Sequence, residues 1–427
     1  MVGLFAGIGG LELGLGAHGW RTELLCEIDS GAQAVLSAHF PGVEIQGDVT
    51  RLRALPTGTE LVAAGFPCQD LSQAGRTAGI TGARSGLVDE VFRLVRRRRG
   101  PRWLLIENVP FMLQLGRGQA MRHITAALEE LGYMWAYRVV DARAFGLPQR
   151  RLRVLMLASR TDDPRPVLFG TDAGPRTLGD PDIDPCGFYW TEGVRGLGWA
   201  VNAVPTLKGG SGLGIASPPA VRLPSGEIVT PGITDAERLQ GFSRDWTAPA
   251  VTAPGVRPGH RWKLVGNAVS VRMASWIGGR LTTPTGEALP GNRELTGHRW
   301  PSAAWGRAGR AYEVAVSAWP VHEPYEDLWR YLEDAPLLSV RATAGFLHRA
   351  ARSTLRFPPG FLTDMQNHLL RMKELSQEAG SCQLSPESTP STAGPVSAAS
   401  RRYSPDPTQT GRHRGERPAS RAHEVAC

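Results

Sequence analysis

The sequence predicts an α/β fold: a doubly wound, mostly parallel sheet with helices on both faces. Three observations support this fold class. Short apolar runs alternate with helical patterns through the first 158 residues, which is typical of strand–helix–strand units. A glycine-rich turn, Gly7 to Gly10, joins the first strand to the first helix. Acidic residues follow the second and third strands, at the sheet edge where such folds bind ligands.

Each predicted element rests on a local pattern. Compact apolar runs predict buried strands at Val2–Phe5, Thr22–Cys26, Val43–Gln46, Leu61–Gly65 and Trp103–Ile106. Apolar residues at helical spacing predict helices at Leu11–Ala17, Ala32–His39, Ser85–Val95 and Gly118–Leu131. Two later runs, Trp135–Val140 and Arg153–Ala158, are separated by a polar connection and predict an antiparallel pair.

The composition changes after residue 158. Residues 159–232 are rich in Gly, Pro, Asp and Thr, which predicts an inserted, irregular module at the surface. Helical patterns return at Asp235–Gln240 and Val269–Leu281. We therefore expect residues 1–158 and 233–280 to form one domain that is interrupted by the insertion.

The last third of the chain divides into two parts. Residues 281–375 contain four tryptophans and a helical pattern at Phe361–Leu375, and we interpret them as a C-terminal extension without an assigned role. Residues 376–427 are rich in Ser, Thr, Pro and Arg with few large apolar side chains. Such a composition predicts a disordered tail.

Composition excludes several classes of protein. The chain of 427 residues has 48 basic and 40 acidic side chains, a net charge of +8, which indicates an acidic partner such as nucleic acid. A basic enzyme without such a partner fits that charge as well. No apolar run is long enough for a membrane span, and no signal peptide is visible. The five cysteines are irregularly spaced, so we expect no disulfide framework, no metal site and a cytoplasmic location.

The glycine-rich loop predicts a nucleotide-like cofactor. It is not a dinucleotide fingerprint, because the third required glycine position holds Glu12, which argues against a dinucleotide oxidoreductase. Glu27 follows the second strand and can accept hydrogen bonds from ribose hydroxyls. Asp48 follows the third strand and can accept one from an adenine amino group. Each carboxylate alone also fits a solvated loop charge, but together they fit an adenosine without phosphates, such as S-adenosylmethionine.

Three further positions suggest chemistry at the same edge. Cys68, stiffened by the proline before it, follows the fourth strand and is placed to act as a nucleophile; a small buried side chain is the alternative. Glu107 ends the apolar run Trp103–Ile106, so burial is expected to raise its pKa; a helix cap or surface charge is the alternative. Arg151 and Arg153 alternate at a strand start and can hold a carbonyl or a phosphate, or simply form a solvated strand end.

The order of motifs resembles that of the DNA (cytosine-5)-methyltransferases of prokaryotic or phage type. The resemblance covers residues 1–280, and its motifs are Phe5–Gly10, Glu27, Asp48, Pro67-Cys68-Gln69, Glu107-Asn108-Val109, Gln149-x-Arg151-x-Arg153, Arg238–Phe242 and Gly266–Val269. It implies a Rossmann-like methyltransferase domain that uses S-adenosylmethionine, with 159–232 as the target-recognition region. Arg238–Phe242 would then support that region.

The resemblance also implies a role for each motif residue. Cys68 would attack a flipped-out cytosine at C6, Glu107 would contact its N3 edge, and Arg151 would hold its O2. The implied catalytic residues are Cys68, Glu107, Arg151, Arg153 and Gln149. The implied cofactor-binding residues are Phe5, Gly7, Ile8, Gly10, Glu27, Ile28, Asp48, Val49, Asn267 and Val269.

Two positions depart from the family pattern. Most members carry Asp where this chain has Gly3, a change expected to remove one loop hydrogen bond without affecting the chemistry. After Gln69 the family often has Pro-Phe-Ser, whereas this chain has Asp70-Leu71-Ser72. That difference bears on closure of the loop.

Several alternatives to this function stay open at this point. The same fold can carry an RNA (cytosine-5)-methyltransferase or a catalytically idle DNA-binding homologue. An amino-group methyltransferase is disfavoured, since no Asp-Pro-Pro-Tyr-like loop is present. The expected partner is double-stranded DNA, with a cognate restriction endonuclease as a second candidate. We expect the chain to act as a monomer that is associated with the nucleoid.

Overall fold

A large mixed sheet forms the centre of the protein. The computed structural model describes residues 1–66, 86–96, 100–209, 217–284, 293–297 and 299–382. Their strands are β1 (Val2–Leu4), β2 (Leu24–Cys26), β3 (Glu44–Gln46), β4 (Leu61–Ala64), β5 (Trp103–Asn108), β6 (Met134–Asp141), β7 (Gln149–Arg150), β8 (Leu152–Ser159), β9 (Cys186–Phe188), β10 (Ala200–Val201), β11 (Val204–Pro205), β12 (Ala220–Arg222), β13 (Ile228–Val229), β14 (Arg293–Glu294), β15 (Ala303–Arg307) and β16 (Arg310–Glu313).

Helices pack on both faces of this sheet. They are α1 (Gly10–Gly16), α2 (Ser30–His39), α3 (Gly86–Val95), α4 (Gln119–Glu130), α5 (Arg165–Phe169), α6 (Ile233–Leu239), α7 (His260–Asn267), α8 (Val271–Thr282), α9 (Val340–Ala350) and α10 (Phe361–Cys382). None of the helices in the described ranges has the length and apolar character that a membrane crossing requires.

The strand order confirms the predicted doubly wound sheet. Among the described residues the main sheet runs β14-β16-β15-β6-β8-β5-β4-β1-β2-β3. Strands β3, β2, β1, β4 and β5 are parallel neighbours. Strands β6 and β8 pair antiparallel, from Met134 opposite Ser159 to Asp141 opposite Leu152, as the polar connection between them predicts.

Alternation of side chains along the strands builds two cores. Val2 and Leu4 of β1 face the side covered by α3 and α4. Leu61 and Ala63 of β4 face the opposite side, where α1 and α8 pack. Both faces are therefore buried, which explains why these strands read as continuous apolar runs in the sequence.

The insertion contains more regular structure than its composition predicts. Residues 186–229 form a small sheet in the order β10-β9-β12-β13. Its core is completed from the far end of the chain, because Phe188 of β9 packs against Phe346 of α9 and Phe361 of α10. The ring centroids of Phe188 and Phe361 lie 4.9 Å apart.

Residues 281–375, which have no role from sequence alone, contribute to both sheets. Strand β15 pairs antiparallel with β6 and extends the main sheet. Helices α9 and α10 cover the small sheet. Residues 1–377 form one contact unit. The second unit, 378–427, is described only as far as Cys382, where it forms the end of α10.

Sequence patterns located most elements of residues 1–158 within a few residues, but they missed the helices α5, α7 and α9 and the later strands. Among the predicted helices, α8 begins at Val271 rather than Val269. The predicted start of α4 at Gly118 is instead its N-cap, in a left-handed conformation with φ 84°. Glycine adopts that conformation without the steric cost of a Cβ.

Candidate active site

Parallel packing of β1, β2 and β4 brings the predicted site residues to one edge of the sheet. Phe5 follows β1, Glu27 follows β2, and Gly65 follows β4. A Cβ added at Gly65 would lie 3.6 Å from Glu107 Oε2, 3.8 Å from Val269 Cγ2 and 4.0 Å from the Phe5 carbonyl oxygen. The predicted cofactor residues Phe5 and Val269 therefore meet the predicted acid Glu107 around Gly65.

The glycine-rich loop is fixed by Glu27. Its carboxylate accepts hydrogen bonds from the backbone N–H of Gly7 at 2.7 Å and of Asp29 at 2.9 Å. Each oxygen thus has one backbone donor and keeps accepting capacity for a ligand. At Gly10 a Cβ would overlap the carbonyl oxygen of Val269, so glycine is needed there for the close approach of the two segments.

Asp29 joins the Glu27 loop to helix α7. It caps α2 by accepting from Gly31 and Ala32, and it also accepts from His260 Nε2 at 2.8 Å and Lys263 Nζ at 3.0 Å. Burial acts to raise the pKa of Asp29, but the bonds from His260 and Lys263 outweigh it, so the pKa is lowered. The ionised carboxylate holds the loop and the helix together.

Asp48 lies at the next strand end, beyond β3. Its Oδ1 accepts from the Thr50 backbone N–H at 2.9 Å and from the Thr50 hydroxyl at 2.8 Å. These two bonds lower the pKa of Asp48. The second oxygen lies 3.6 Å from Arg51 Nε and has accepting capacity for a further donor.

The apolar residues that were predicted to bind the cofactor differ in how exposed their side chains are. Ile28 is 78% exposed beside Glu27, so its side chain is open to a ligand. Ile8 and Val49 are 1% and 5% exposed, and their side chains belong to cores. Ile8 and Val49 can therefore meet a ligand only through their backbone.

The Arg238–Phe242 motif supports the cofactor loop. Phe242 packs in the same cluster as Ile8 and Trp246, and Trp246 Nε1 donates to the Ile8 carbonyl oxygen at 2.9 Å. The resemblance implied that this motif supports the target-recognition region, whereas Phe242 packs with Ile8 of the glycine-rich loop.

Glu107 forms a buried ion pair. Its Oε1 lies 2.8 Å from Arg153 Nε, and both side chains are about 90% buried. Burial raises the pKa of Glu107, although Arg153 and then Arg151 act to lower it. The burial that the sequence predicts for this carboxyl is present, and Arg153 holds the group in one orientation.

Arg151 takes a different position from Arg153. Its terminal nitrogens donate to the carbonyl oxygens of Leu207, Gly266 and Ala268, at 3.1, 3.2 and 2.6 Å. Arg151 therefore braces the Gly266–Val269 segment against the insertion. Its neighbour Arg153 is the arginine that contacts the predicted acid.

Gln149 is part of the same buried frame. Its Nε2 donates to the Leu239 carbonyl oxygen at 2.9 Å and to Gln240 Oε1 at 3.2 Å, and its Oε1 accepts from Leu207 N at 3.1 Å. Gln240 in turn donates to the Val265 carbonyl oxygen at 2.8 Å. Gln149 thus positions other motifs.

Asn267 completes the frame near the insertion. It is exposed at the end of α7, and a Cβ added at Gly209 would lie 2.9 Å from its Oδ1. The backbone of Gly266 also packs so closely on Lys208 and Gly209 that a side chain at 266 would collide with them. The last cofactor motif is therefore in contact with the insertion.

Asn108 is a site residue that sequence reasoning left without a role. Its Nδ2 donates to the Phe66 carbonyl oxygen at 3.1 Å, and its Oδ1 accepts from Val109 N at 2.8 Å. Asn108 thereby fixes the chain two residues before Cys68. Its place directly after Glu107 in the motif was the available signal. Cys68 and Gln69 themselves lie outside the described residues.

Comparison with known proteins decides the family. The model of the C-5 cytosine-specific DNA methylase family matches residues 1–174. The Type II methyltransferase M2.BsuMI of Bacillus subtilis (strain 168) is 53% identical over 366 residues, which cover 83% of this chain and 94% of that protein. The chain belongs to the C-5 cytosine-specific DNA methylase family.

Two more distant similarities are a curated methyltransferase and a solved structure. The Type II methyltransferase M.BanI of Aneurinibacillus aneurinilyticus is 36% identical over 173 residues, 39% of this chain and 40% of that protein. The solved S. pombe Dnmt2 methyltransferase covers 65% of this chain and 96% of its own, with 14% identity and a TM-score of 0.46. That superposition is too loose to strengthen the assignment.

Membership of the C-5 cytosine-specific DNA methylases confirms the predicted activity. The protein is a DNA (cytosine-5)-methyltransferase, its substrate is DNA, and its cofactor is S-adenosylmethionine. The alternatives of an RNA-modifying enzyme and of an idle DNA-binding homologue are set aside by the same relatives.

Proposed function

We propose that catalysis starts with addition of the Cys68 thiolate to C6 of a cytosine that has left the DNA stack. The ring then becomes an enamine with electron density at C5. Loss of the C5 proton and departure of the Cys68 sulfur restore the aromatic ring after methylation. Attack requires the thiolate, and reaching the base costs a few kcal/mol of unstacking.

Glu107 is proposed as the group at N3 of the base. A protonated or strongly hydrogen-bonding carboxyl at N3 stabilises the electron-rich ring. The observation that supports this role is the buried position of Glu107. Burial raises the pKa of its carboxyl group, and the ion pair with Arg153 fixes the orientation of that group. We assign the O2 carbonyl of the base to Arg153 rather than Arg151, because the terminal nitrogens of Arg151 already donate to three backbone carbonyls.

The loop around Phe5 and Glu27 fits the cofactor. Glu27 keeps accepting capacity for ribose hydroxyls, Asp48 keeps it for the adenine amino group, and exposed Ile28 can pack on the adenine. Gly7, Gly10 and Val269 allow the backbone to approach the cofactor closely.

When bound, S-adenosylmethionine supplies an electrophilic methyl group. The backbone of Ile8 and Val49 and the side chain of Asn267 complete the proposed pocket.

Target recognition is assigned to the small sheet and its loops. Residues 159–232 supply β9 to β13, and Lys208 and Gly209 pack against Gly266 beside the cofactor motif. This contact supports a position of the insertion next to the proposed base pocket. Base-edge contacts from its loops would supply sequence specificity, whereas phosphate contacts would supply affinity.

Mechanism-based trapping tests the role of Cys68. DNA that carries 5-fluorocytosine cannot lose its C5 substituent as a proton, so the adduct persists and migrates as an SDS-stable complex. We expect the wild-type chain to form that complex and Cys68→Ser to form none, with no radiolabelled methyl transfer to ordinary DNA. Cofactor affinity, measured by calorimetry, should be unchanged. Full methylation by Cys68→Ser would refute the mechanism.

We also propose that this enzyme protects its site against a cognate restriction endonuclease and works as a monomer on nucleoid DNA in the cytoplasm. The support for the endonuclease is that the similar proteins M2.BsuMI and M.BanI are named Type II methyltransferases. Bisulfite sequencing of DNA from an expressing strain, with Cys68→Ser as control, gives the target site. Sedimentation of the enzyme on a duplex with that site gives its stoichiometry.

A further inference from the structure

Glu12 is a buried carboxylate without a partner. It lies in the first turn of α1, directly after the glycine-rich loop, and is 1% exposed. Neither Oε1 nor Oε2 has a hydrogen-bond partner. A buried charge without a partner costs several kcal/mol, so its presence calls for a functional explanation.

The position of Glu12 coincides with the departure at Gly3. Gly3 is the middle residue of β1, and the place that a Cβ would take there is already filled by Glu12 Oε1. The Glu12 Cδ would lie 2.9 Å from that Cβ and Leu25 Cδ2 3.1 Å from it. The carboxylate that most family members carry at this strand position is therefore replaced in space by one that reaches back from the helix.

We propose that Glu12 is a cofactor-binding residue, whose carboxylate pairs, directly or through one water molecule, with the ammonium group of S-adenosylmethionine. The proposal rests on the cofactor placement proposed above. A carboxylate without a partner next to the glycine-rich loop is suited to pair with a cationic ligand. Strand β1 and its neighbour β2 present Gly3 and Leu25 to the Glu12 carboxylate, and neither residue is charged. The charged group that acts on Glu12 from nearby is the carboxylate of Glu27, which repels an anion and favours a cationic ligand.

The charge on Glu12 depends on this partner. The pKa of Glu12 is raised to about 7, mainly by burial and to a smaller extent by the nearby carboxylate of Glu27, against a lowering by its own backbone N–H. Pairing with an ammonium group would favour the ionised form. Below pH 7 the cofactor must therefore displace a proton, and its apparent affinity should fall as the pH is lowered.

Binding of three ligands to Glu12→Gln tests the proposal by calorimetry. S-adenosylmethionine and S-adenosylhomocysteine both carry the ammonium group, whereas 5′-methylthioadenosine lacks it. We expect the variant to bind the first two about tenfold more weakly, the loss of one charge-assisted hydrogen bond, and 5′-methylthioadenosine equally well. Changes below twofold for all three ligands, or a loss confined to S-adenosylmethionine, would overturn the role at the ammonium group.

Moving the carboxylate back to the strand provides a rescue. Glu12→Ala opens the space beside residue 3, so Gly3→Asp in that background should recover most of the affinity for S-adenosylhomocysteine, whereas Gly3→Ala should not. Equal affinity of the two double variants contradicts the proposal. Glu27→Gln serves as the separate control: if it binds all three ligands normally, the cofactor placement itself is wrong.

Discussion

Two buried carboxylates near the active site differ in how the protein compensates their charge. Glu107 is paired with Arg153 at 2.8 Å, whereas Glu12 has no hydrogen-bond partner. Burial raises the pKa of both. The paired group is held in one orientation by Arg153, whereas the unpaired group is expected to make the stability of the free protein depend on pH.

The free enzyme should lose stability as the pH rises through the range in which Glu12 ionises. The pKa of Glu12 is about 7 in the folded chain against an ordinary value of 4.5. The folded state therefore binds the extra proton, and its stabilisation is complete below pH 4.5 and lost as the pH rises through 7. The loss is about 3 kcal/mol. Glu12→Gln and Glu12→Met should both remove it.

Chemical denaturation between pH 4.5 and 8 measures this difference. The free energy of unfolding of Glu12→Gln should exceed that of the wild type by an amount that grows with pH and levels off above 7. Parallel curves for the two proteins would mean that Glu12 does not titrate as the structure indicates. Saturating S-adenosylhomocysteine should reduce the difference, because the ligand supplies a partner to the ionised carboxylate.

At the scale of elements, local patterns were sufficient wherever a single strand or helix buries its own apolar face. The runs at Leu61–Ala64 and Trp103–Asn108 were predicted nearly to the residue. Helix α7 was missed, because His260 and Lys263 hold it through Asp29, 231 and 234 positions away. Its stabilising contacts are not local, so no sequence window contains them.

The site shows the same limit. The motifs identify Glu107, Arg151 and Arg153 as site residues, but spacing alone does not say which arginine meets the acid. The contact with Arg153 follows from the antiparallel register of β5 and β8, in which Glu107 lies opposite Leu155, two residues from Arg153. The position of the Glu12 carboxylate beside Gly3 could likewise not be predicted from the sequence, because it depends on how α1 packs on β1.

Helices α9 and α10 should be structural parts of the target-recognition unit. Phe361 is fully buried between Phe188, Phe346 and Trp199. Phe361→Ala should reduce the free energy of unfolding by about 3–5 kcal/mol and weaken methylation of DNA. Leu370→Ala, on the same helix but 59% exposed, is the matched control and should change neither.

Calorimetry separates this effect from general unfolding. The cofactor loop rests on a different cluster, formed by Ile8, Val35 and Phe242. Folded Phe361→Ala protein should therefore bind S-adenosylhomocysteine with nearly normal affinity at low temperature. Wild-type stability of the variant would show that α10 does not support the small sheet.

At the scale of the whole molecule, the chain between Met1 and Gln377 is joined by contacts that are distant in sequence. Asp235 of α6 accepts the backbone N–H groups of Gly232, Glu333 and Asp334 at 3.0, 3.2 and 3.1 Å. Arg238, of the same helix, donates to Glu333 at 2.5 Å. A motif of the methyltransferase domain is thus anchored to the C-terminal extension.

The number of residues that can be removed from the C-terminus without loss of stability and activity should therefore have a sharp limit. Removal of residues 378–427, which form a separate contact unit, should leave the melting temperature, the cofactor affinity and the rate of DNA methylation within twofold of the full chain. Removal from Ser339 onward takes away α9 and α10 and exposes the apolar core of the small sheet. That protein should aggregate or lose DNA methylation, as measured by radiolabelled methyl transfer on the same duplex. A tenfold loss of activity on removing 378–427 alone would assign the tail a part in DNA binding or catalysis, and full activity of the longer truncation would show that the small sheet folds without its helices.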